Sequence, residues 1–409
     1  MNADADVVVC GAGAAGLAAA LAAARSRASV LLVERSPQIG GTVAHALIHT
    51  LGGLYDAYGN VQNAGLPAEL IDRLHEADPR TRRRRLGRTW VLNVCPNVYR
   101  AAVTRWIAEQ PGINVMCQSQ ASRVVRRANR IFELEVTSHA HVLRFRPRAV
   151  IDATGTAELV RLLDPALVSD EESRAAGGWI FRLSGVAAGA LDFPKGLAAV
   201  RALRSAAAAG ELPPLSHHAW LDFGVDTDEV FVKLMVPLQR DWQDEAVETA
   251  RRAGEAQAAI VHFLRRCPDF AQAEVTQSGS LGVRDGGRIR GRYTLTAEDV
   301  RRGRKFAEAA GRCSWPIEYW DAERGASVEY LTEGTEYDIP QAALQVWGVD
   351  NLWACGKCLS ADRWAHASAR VVGACWAMGQ AAGIAAAACS PHPGQELSNQ
   401  HEQPLPAIS

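Results

Sequence analysis

No stretch of this sequence approaches the roughly 18–20 apolar residues needed to cross a bilayer. The apolar N-terminal segment has no basic residue before Arg25, so it lacks the charged start of a signal peptide. Charge of one sign is missing too. Lys and Arg number 44 against 45 Asp and Glu, a formal net charge of -1. No basic field is therefore available to recruit nucleic acid or an anionic membrane. The nine cysteines are an odd number without a paired framework, which suits free thiols in a reducing compartment. Four-cysteine sets for an iron–sulfur cluster are absent, no metal site is expected, and no internal repeat is found. These absences describe a cytoplasmic, globular chain.

What is there divides naturally. At 409 residues the chain is long enough for more than one core. Val7-Val8-Val9-Cys10 reads as a buried parallel strand, a glycine-rich turn follows, and 17–25 reads as an alanine-rich helix. Residues 29–33 make a second strand ending at Glu34, which completes one strand–helix–strand unit. Residues 36–90, punctuated by Gly40, Gly41, Gly52, Gly53, Gly59 and Gly65, read as irregular. A helix is expected at 99–110, with strands at 113–117, 122–125, 131–137 and 148–153. Composition changes over 165–340, where strands at 179–184, 219–223 and 230–237 and helices at 244–265 and 297–310 are expected. A strand at 352–354 and a long helix over 371–388 follow. The division is then 1–164 plus 340–390 as one domain, 165–339 as an inserted α+β domain, and 391–409 as a flexible tail.

Gly11-Ala12-Gly13-Ala14-Ala15-Gly16 matches the G-x-G-x-x-G fingerprint of a dinucleotide site. Gly11 permits the tight turn, Gly13 lets backbone approach a pyrophosphate, and Gly16 lets the helix pack on the strand. Helix N–H groups from Ala14 and Ala15 onward then face the phosphate charge. Glu34, 18 residues after Gly16, is placed to accept ribose hydroxyls and repel a 2′-phosphate, with Arg35 beside it.

Three further segments carry a resemblance. Gly40-Gly41-Thr42 follows the second strand, Asp152-Ala153-Thr154-Gly155 closes another, and Cys355-Gly356-Lys357-Cys358 follows the strand at 352–354. That last segment leads into Ala367-Ser368-Ala369-Arg370-Val371-Val372 and Gly379-Gln380-Ala381-Ala382-Gly383. With the stretch from Arg284 to Asp299, these motifs resemble the FAD-dependent oxidoreductase family of the glutathione reductase-like superfamily, over most of residues 5–389. The resemblance departs at Gly155-Thr156-Ala157-Glu158, where relatives often carry an acid directly after the glycine. It implies an α/β fold, with a Rossmann-like FAD-binding domain of glutathione reductase type and an inserted substrate domain. It also implies FAD held by Gly40, Gly41, Thr42, Ala121, Ala153, Thr154, Gly155, Gly356, Lys357, Arg370, Val371 and Val372, besides the fingerprint and Glu34-Arg35. Independently, reduced flavin is negative at N1–C2=O, and a helix start at Val371 contributes about half a positive charge.

For chemistry at the ring, His366 is the first candidate acid or base, placed between the Gly356 turn and the last helix. His45 and His49 read either as packing histidines or as groups at the ring's other edge. Arg284 and Arg288 read either as a carboxylate clamp or as an internal salt bridge. The basic run Arg80, Arg82, Arg83, Arg84, Arg85 and Arg88 reads as a solvated surface or as a receiver of an anionic substrate or nicotinamide phosphate. Cys355 and Cys358 read as a redox dithiol or as chance spacing. Trp179, Trp220, Trp315, Trp320 and Trp364 are core packing or an aromatic wall.

The expected activity is hydride transfer between flavin and a small amine, alcohol, acid or activated double bond, the substrate being carboxylate-bearing or aromatic. Oxygen or a partner protein takes the electrons. No second G-x-G-x-x-G follows a strand, which removes a disulfide reductase's nicotinamide domain. The rivals are a single-component monooxygenase, whose usual glycine–aspartate turn is replaced here by Gly356-Lys357, and a non-catalytic electron-relay subunit or flavin scaffold.

Overall fold

Val7–Cys10 is apolar at every position and buried on both faces, and it forms the centre of a five-stranded sheet. The strand order is Leu352–Ala354, Ala149–Asp152, Val7–Cys10, Val30–Val33, Ile113–Met116. Every neighbouring pair is parallel. The computed structural model describes residues 5–169, 174–239 and 242–389, and the tail expected at 391–409 lies outside them.

Parallel sheets need cover on both faces. Period-2 alternation sorts the side chains accordingly. Val7, Val9, Val30 and Leu32 join one core with the helices Ala14–Arg25 and Val372–Ala387. Val8, Cys10, Leu31 and Val33 join another, covered by Ile131, Leu134, Val136 and Phe145. These last belong to a three-stranded antiparallel sheet of Ser119–Arg127, Arg130–Ser138 and His141–Phe145. The result is a mixed α/β unit with a Rossmann-like parallel sheet.

A separate core lies in the middle of the chain. Trp220–Phe223, Val230–Val236, Gly177–Ser184 and Glu274–Ser278 make a four-stranded antiparallel sheet. Phe181, Leu183 and Val232 pack there against Leu203 of the helix Lys195–Ala208 and Ile260 and Leu264 of the helix Ala246–Leu264. Leu295, Ala310, Ile317, Tyr337 and Ile339 instead bury into the same core as the parallel sheet.

Segment 36–90 is more ordered than its glycines suggest. Leu66, Leu70, Ile71 and Leu74 form a buried stripe at helical spacing along Leu66–Ala77, with Pro67 in the first turn. Arg82–Leu86 and Thr89–Asn93 form a hairpin turned at Gly87, whose φ is +58°. The consecutive arginines conceal the strand because they remove its alternation. The helix expected at 297–310 stops at Arg301. A capping box of Thr296 and Asp299 opens it, and Gly303 at φ +61° closes it, with Arg304 N–H bonded to Asp299 O. The chain then becomes the strand Ala309–Cys313. The helix Lys195–Ala208 carries no sequence expectation at all.

Candidate functional site

The fingerprint turn is built by close approach. Gly11 has φ +98°, and a Cβ there would lie 2.5 Å from Ala153 O. A Cβ on Gly16 would lie 1.8 Å from Gly11 O, and one on Gly41 would lie 2.5 Å from the Cα of Gly13. Gly40 N–H donates to Ala12 O at 2.9 Å, which ties the double-glycine turn to the fingerprint. Thr42 continues that turn into the short helix Gly41–His45. Gly356, at φ +71°, faces Ala15, with its notional Cβ 2.8 Å from the alanine's. Four distant segments therefore meet around a groove that only small residues permit.

Glu34 ends the second strand of the unit with its carboxylate fixed. Its oxygens accept N–H bonds from Ala12 at 2.7 Å and Ser36 at 2.8 Å. A shallow cleft opens beside it, lined by Gly11, Glu34, Arg35, Ala121, Thr154 and Glu158 among others. Arg35 pairs with Glu158 at 2.8 Å across this region. Asp152 pins the opposite turn, accepting from Thr154 N, Thr154 Oγ1 and Val160 N. Burial pushes its carboxyl pKa up. These residues fit a dinucleotide: glycine backbone for the pyrophosphate and a fixed acid for a ribose at the lip of an open cleft.

The other end is cationic. The helix Val372–Ala387 starts at Val371 with no side-chain cap and no acid in its first turn. A Cβ on Gly373 would lie 2.1 Å from Gly53 O, so the chain at 53 lies directly against this helix start. Lys357 runs beneath Gly155, whose notional Cβ is 2.7 Å from Lys357 Cε, and its ammonium donates to Val283 O at 2.6 Å. Burial lowers the pKa of Lys357. Arg370, immediately before the helix, donates to Glu318 O at 3.0 Å and is likewise lowered by burial.

His366 lies on the helix Arg363–Ala369 and is 2% exposed. Its Nε2 is 3.0 Å from Lys357 O; a carbonyl only accepts, so Nε2 carries the hydrogen and Nδ1 is the basic nitrogen. Burial brings its pKa down to about 4, against the opposite pull of Asp285, so the ring is neutral at pH 7. Asp285 pairs with Arg288 at 3.3 Å. Burial alone would raise the pKa of Asp285, but His366, Arg288 and Arg174 bring it below the ordinary value. Arg288, 3% exposed, also donates to Ala361 O at 2.8 Å. The structure thus brings His366 and Arg288 together.

His49 stands elsewhere. It stacks on Phe231 with ring centroids 3.8 Å apart, and its Nε2 lies 3.3 Å from Asp222. Asp222 also takes Arg84 at 2.5 Å and Lys233 at 2.9 Å. Burial, then Lys233, lowers His49 to about pKa 4. The sequence reading missed this cluster, although Lys233 is a single charge in the apolar run VFVKLMV. His45 bonds Gln38 O at 2.9 Å.

The basic run divides. Arg80 pairs with Asp78 and Asp226, Arg83 reaches Gly59 O, and Arg84 holds Asp222. Arg85 and Arg88 line a second cleft of about 410 Å³ with Tyr55, Trp90, Trp315 and Tyr330. Cys355 and Cys358 are buried, and burial pushes both thiols up, the reverse of what a redox dithiol needs.

This is the site of a dinucleotide-binding flavoprotein. The family described as FAD dependent oxidoreductase matches residues 6–396, and the chain belongs to it. It is an FAD-dependent oxidoreductase, with FAD as its cofactor. Solved structures it is similar to include a geranylgeranyl bacteriochlorophyll reductase-like protein from Thermoplasma acidophilum, at 14% identity over 95% of this chain and 78% of that one, TM-score 0.49. The anhydrotetracycline hydroxylase OxyS from Streptomyces rimosus matches at 15% identity over 71% and 54%, TM-score 0.44. THI4 from Thermovibrio ammonificans matches at 21% identity over 40% and 62%, TM-score 0.31. No curated protein matches the chain. Among the described residues no helix is long and apolar enough to cross a membrane, and no cluster of metal ligands occurs.

Proposed function

We propose that the protein is a dehydrogenase or oxidase that moves a hydride between a small-molecule substrate and flavin N5. FAD, when bound, supplies the two-electron chemistry. The observation that carries the reading is the uncapped, acid-free start of the helix Val372–Ala387, with Arg370 immediately before its N-cap residue Val371. A fixed positive field there favours a reduced, anionic pyrimidine edge.

The chain's own residues have separable tasks. Gly11, Gly13, Gly41 and Gly356 keep backbone close to the pyrophosphate, and Glu34 selects an unphosphorylated ribose. His366, neutral and held through Nε2, takes the substrate's O–H or N–H proton at Nδ1. Arg288 and Asp285 fix the charge around that ring. Residues 165–339 serve as the substrate side, and the parallel sheet followed by an antiparallel three-stranded sheet supports a glutathione reductase type of FAD domain. Oxygen or a partner protein in the cytoplasm takes the electrons.

The test is anaerobic mixing of purified, flavin-loaded protein with a metabolite library while the visible flavin bands are followed. Bleaching by an amine, alcohol or acid supports the reading. Fast bleaching by NADPH alone overturns it in favour of a monooxygenase, and bleaching by dithionite alone in favour of a relay.

A further inference from the structure

We propose that Arg284 and Arg370 together bind the carboxylate of the substrate, which makes that substrate an organic acid. The inference rests on the proposed function, because it assigns a substrate class to the same site. It departs from the pairing that sequence spacing suggests, which is Arg284 with Arg288.

Arg288 has little capacity for an incoming anion. It is 3% exposed, and Asp285 and the Ala361 carbonyl already hold it. Arg284 is placed differently. Its Nη1 donates to Ala176 O at 2.5 Å, and its guanidinium lies 4.3 Å from the ring centroid of Trp320. Arg370 donates through Nη2 to Glu318 O at 3.0 Å. Among the described residues, each bonds a main-chain carbonyl and neither forms an ion pair with a carboxylate. The nearby Glu318 carboxylate instead accepts the indole N–H of Trp315 at 3.0 Å.

Arg284 and Arg370 are therefore desolvated near the Glu318 carboxylate, while Asp285, which also acts on Arg370, is shared with Arg288 and Arg174. Burial first, and then Arg370, pulls Arg284 down to about pKa 9, a large departure for a group that is otherwise always charged. Compare the exposed arginines: Arg251 and Arg301 each hold a glutamate. An arrangement with more buried positive than negative charge is stabilised by an anion, and a guanidinium offers five donors in a planar fork that matches carboxylate geometry. Neither residue is fully buried, Arg284 and Arg370 each keeping partial exposure. Arg370 directly precedes the helix start assigned to the flavin, and Arg284 comes from the substrate side, so a carboxylate between them is held at the junction of the two.

The probe is benzoate, with benzamide as its neutral isostere, titrated calorimetrically into flavin-loaded protein. Benzoate is expected to bind at least about tenfold more tightly than benzamide. Arg284→Met is expected to abolish that preference, and Arg284→Lys to weaken it, since an ammonium lacks the fork. Equal binding of the two probes to the unaltered protein overturns the proposal, and this comparison needs no variant to fold. A preference retained in Arg284→Met also overturns it, as does a shifted flavin potential in that variant with benzoate binding unchanged, which would assign the pair to the ring. Flavin content, read from visible absorbance, tests the proposed function separately: a colourless protein that still prefers benzoate sinks that reading and leaves the carboxylate site standing.

Discussion

Gly379 and Ala15 lie in helices that cross so closely that a Cβ on the glycine would sit 2.1 Å from the alanine's carbonyl oxygen. One turn on, Gly383 stands in the same relation to Ala19, at 2.3 Å. The contact joins the fingerprint segment to the C-terminal one, because the same two helices begin at the fingerprint turn and at Val371. Neither neighbouring atom is a flexible side-chain end, so a methyl group forces the helices apart.

Gly379→Ala is therefore expected to destabilise the protein by roughly 1–3 kcal/mol, the usual range for overpacking, and to reduce the flavin retained on purification. Gly254→Ala is the control. It lies within the helix Ala246–Leu264 with nothing within 4 Å of a notional Cβ, so alanine should stabilise by about 0.5–1 kcal/mol. Denaturant midpoints with flavin absorbance read both. Equal effects from the two substitutions would contradict the close-crossing argument.

Glu34 holds Ala12 N–H and Ser36 N–H at the lip of the cleft beside Ala121 and Thr154. Glu34→Gln keeps the shape but gives up a charge-assisted acceptor for two N–H groups and for ribose. FAD affinity is expected to fall by about 1–3 kcal/mol, or roughly fivefold to 150-fold, measured by quenching of flavin fluorescence. Unchanged affinity would remove Glu34 from the cofactor site.

Stability should fall with acid well before the carboxylates titrate. His49 and His366 are buried and lowered to about pKa 4, against 6.5 for the free side chain. Above pH 6.5 neither the folded nor the unfolded chain protonates them. Between 6.5 and 4 the unfolded chain takes up protons that the folded one refuses, so each lowers stability as pH drops, by on the order of 3 kcal/mol in full. Melting temperature should decline steadily from pH 6.5 to 4, and His49→Gln should shallow that decline. A flat profile across this window would show that the rings are solvated.

Much of this was legible in residue order. The unit from Val7 to Glu34 carries its own evidence: an apolar run buried on both faces, glycines at fixed offsets, and an acid at the strand end. Ala121 and Thr154 line one cleft with Gly11 and Glu34. Local signals fail where a partner is distant. Nothing near Arg284 in the chain reveals Arg370, and spacing alone favours Arg288, which the structure gives to Asp285. The segment 36–90 misled because its glycines serve close packing, as Gly53 does against Val371, rather than disorder. The Gly356 turn shows the reverse case, since the spacing of its flanking cysteines fits a redox dithiol while their burial disfavours the thiolates.

The cluster around Asp222 supplies the sharpest test of how the middle region is fastened. Asp222 and Lys233 come from the antiparallel sheet of the middle region, whereas His49 and Arg84 come from the segment before it. All four side chains are at most 18% exposed, so the charges of Asp222, Arg84 and Lys233 cannot be left to water. Breaking a buried ion network by removing one partner usually costs about 3–5 kcal/mol, because the remaining charges lose their counterpart. Asp222→Asn leaves Arg84 and Lys233 facing each other across a neutral amide, and a loss of that size is expected in denaturant titrations. Adding Lys233→Met to it should restore part of the loss, since one stranded cation disappears; Lys233→Met alone should cost less, because Arg84 still answers Asp222. Purely additive effects of the two substitutions would mean that the two residues do not interact, and that the middle sheet is held by its apolar contacts alone.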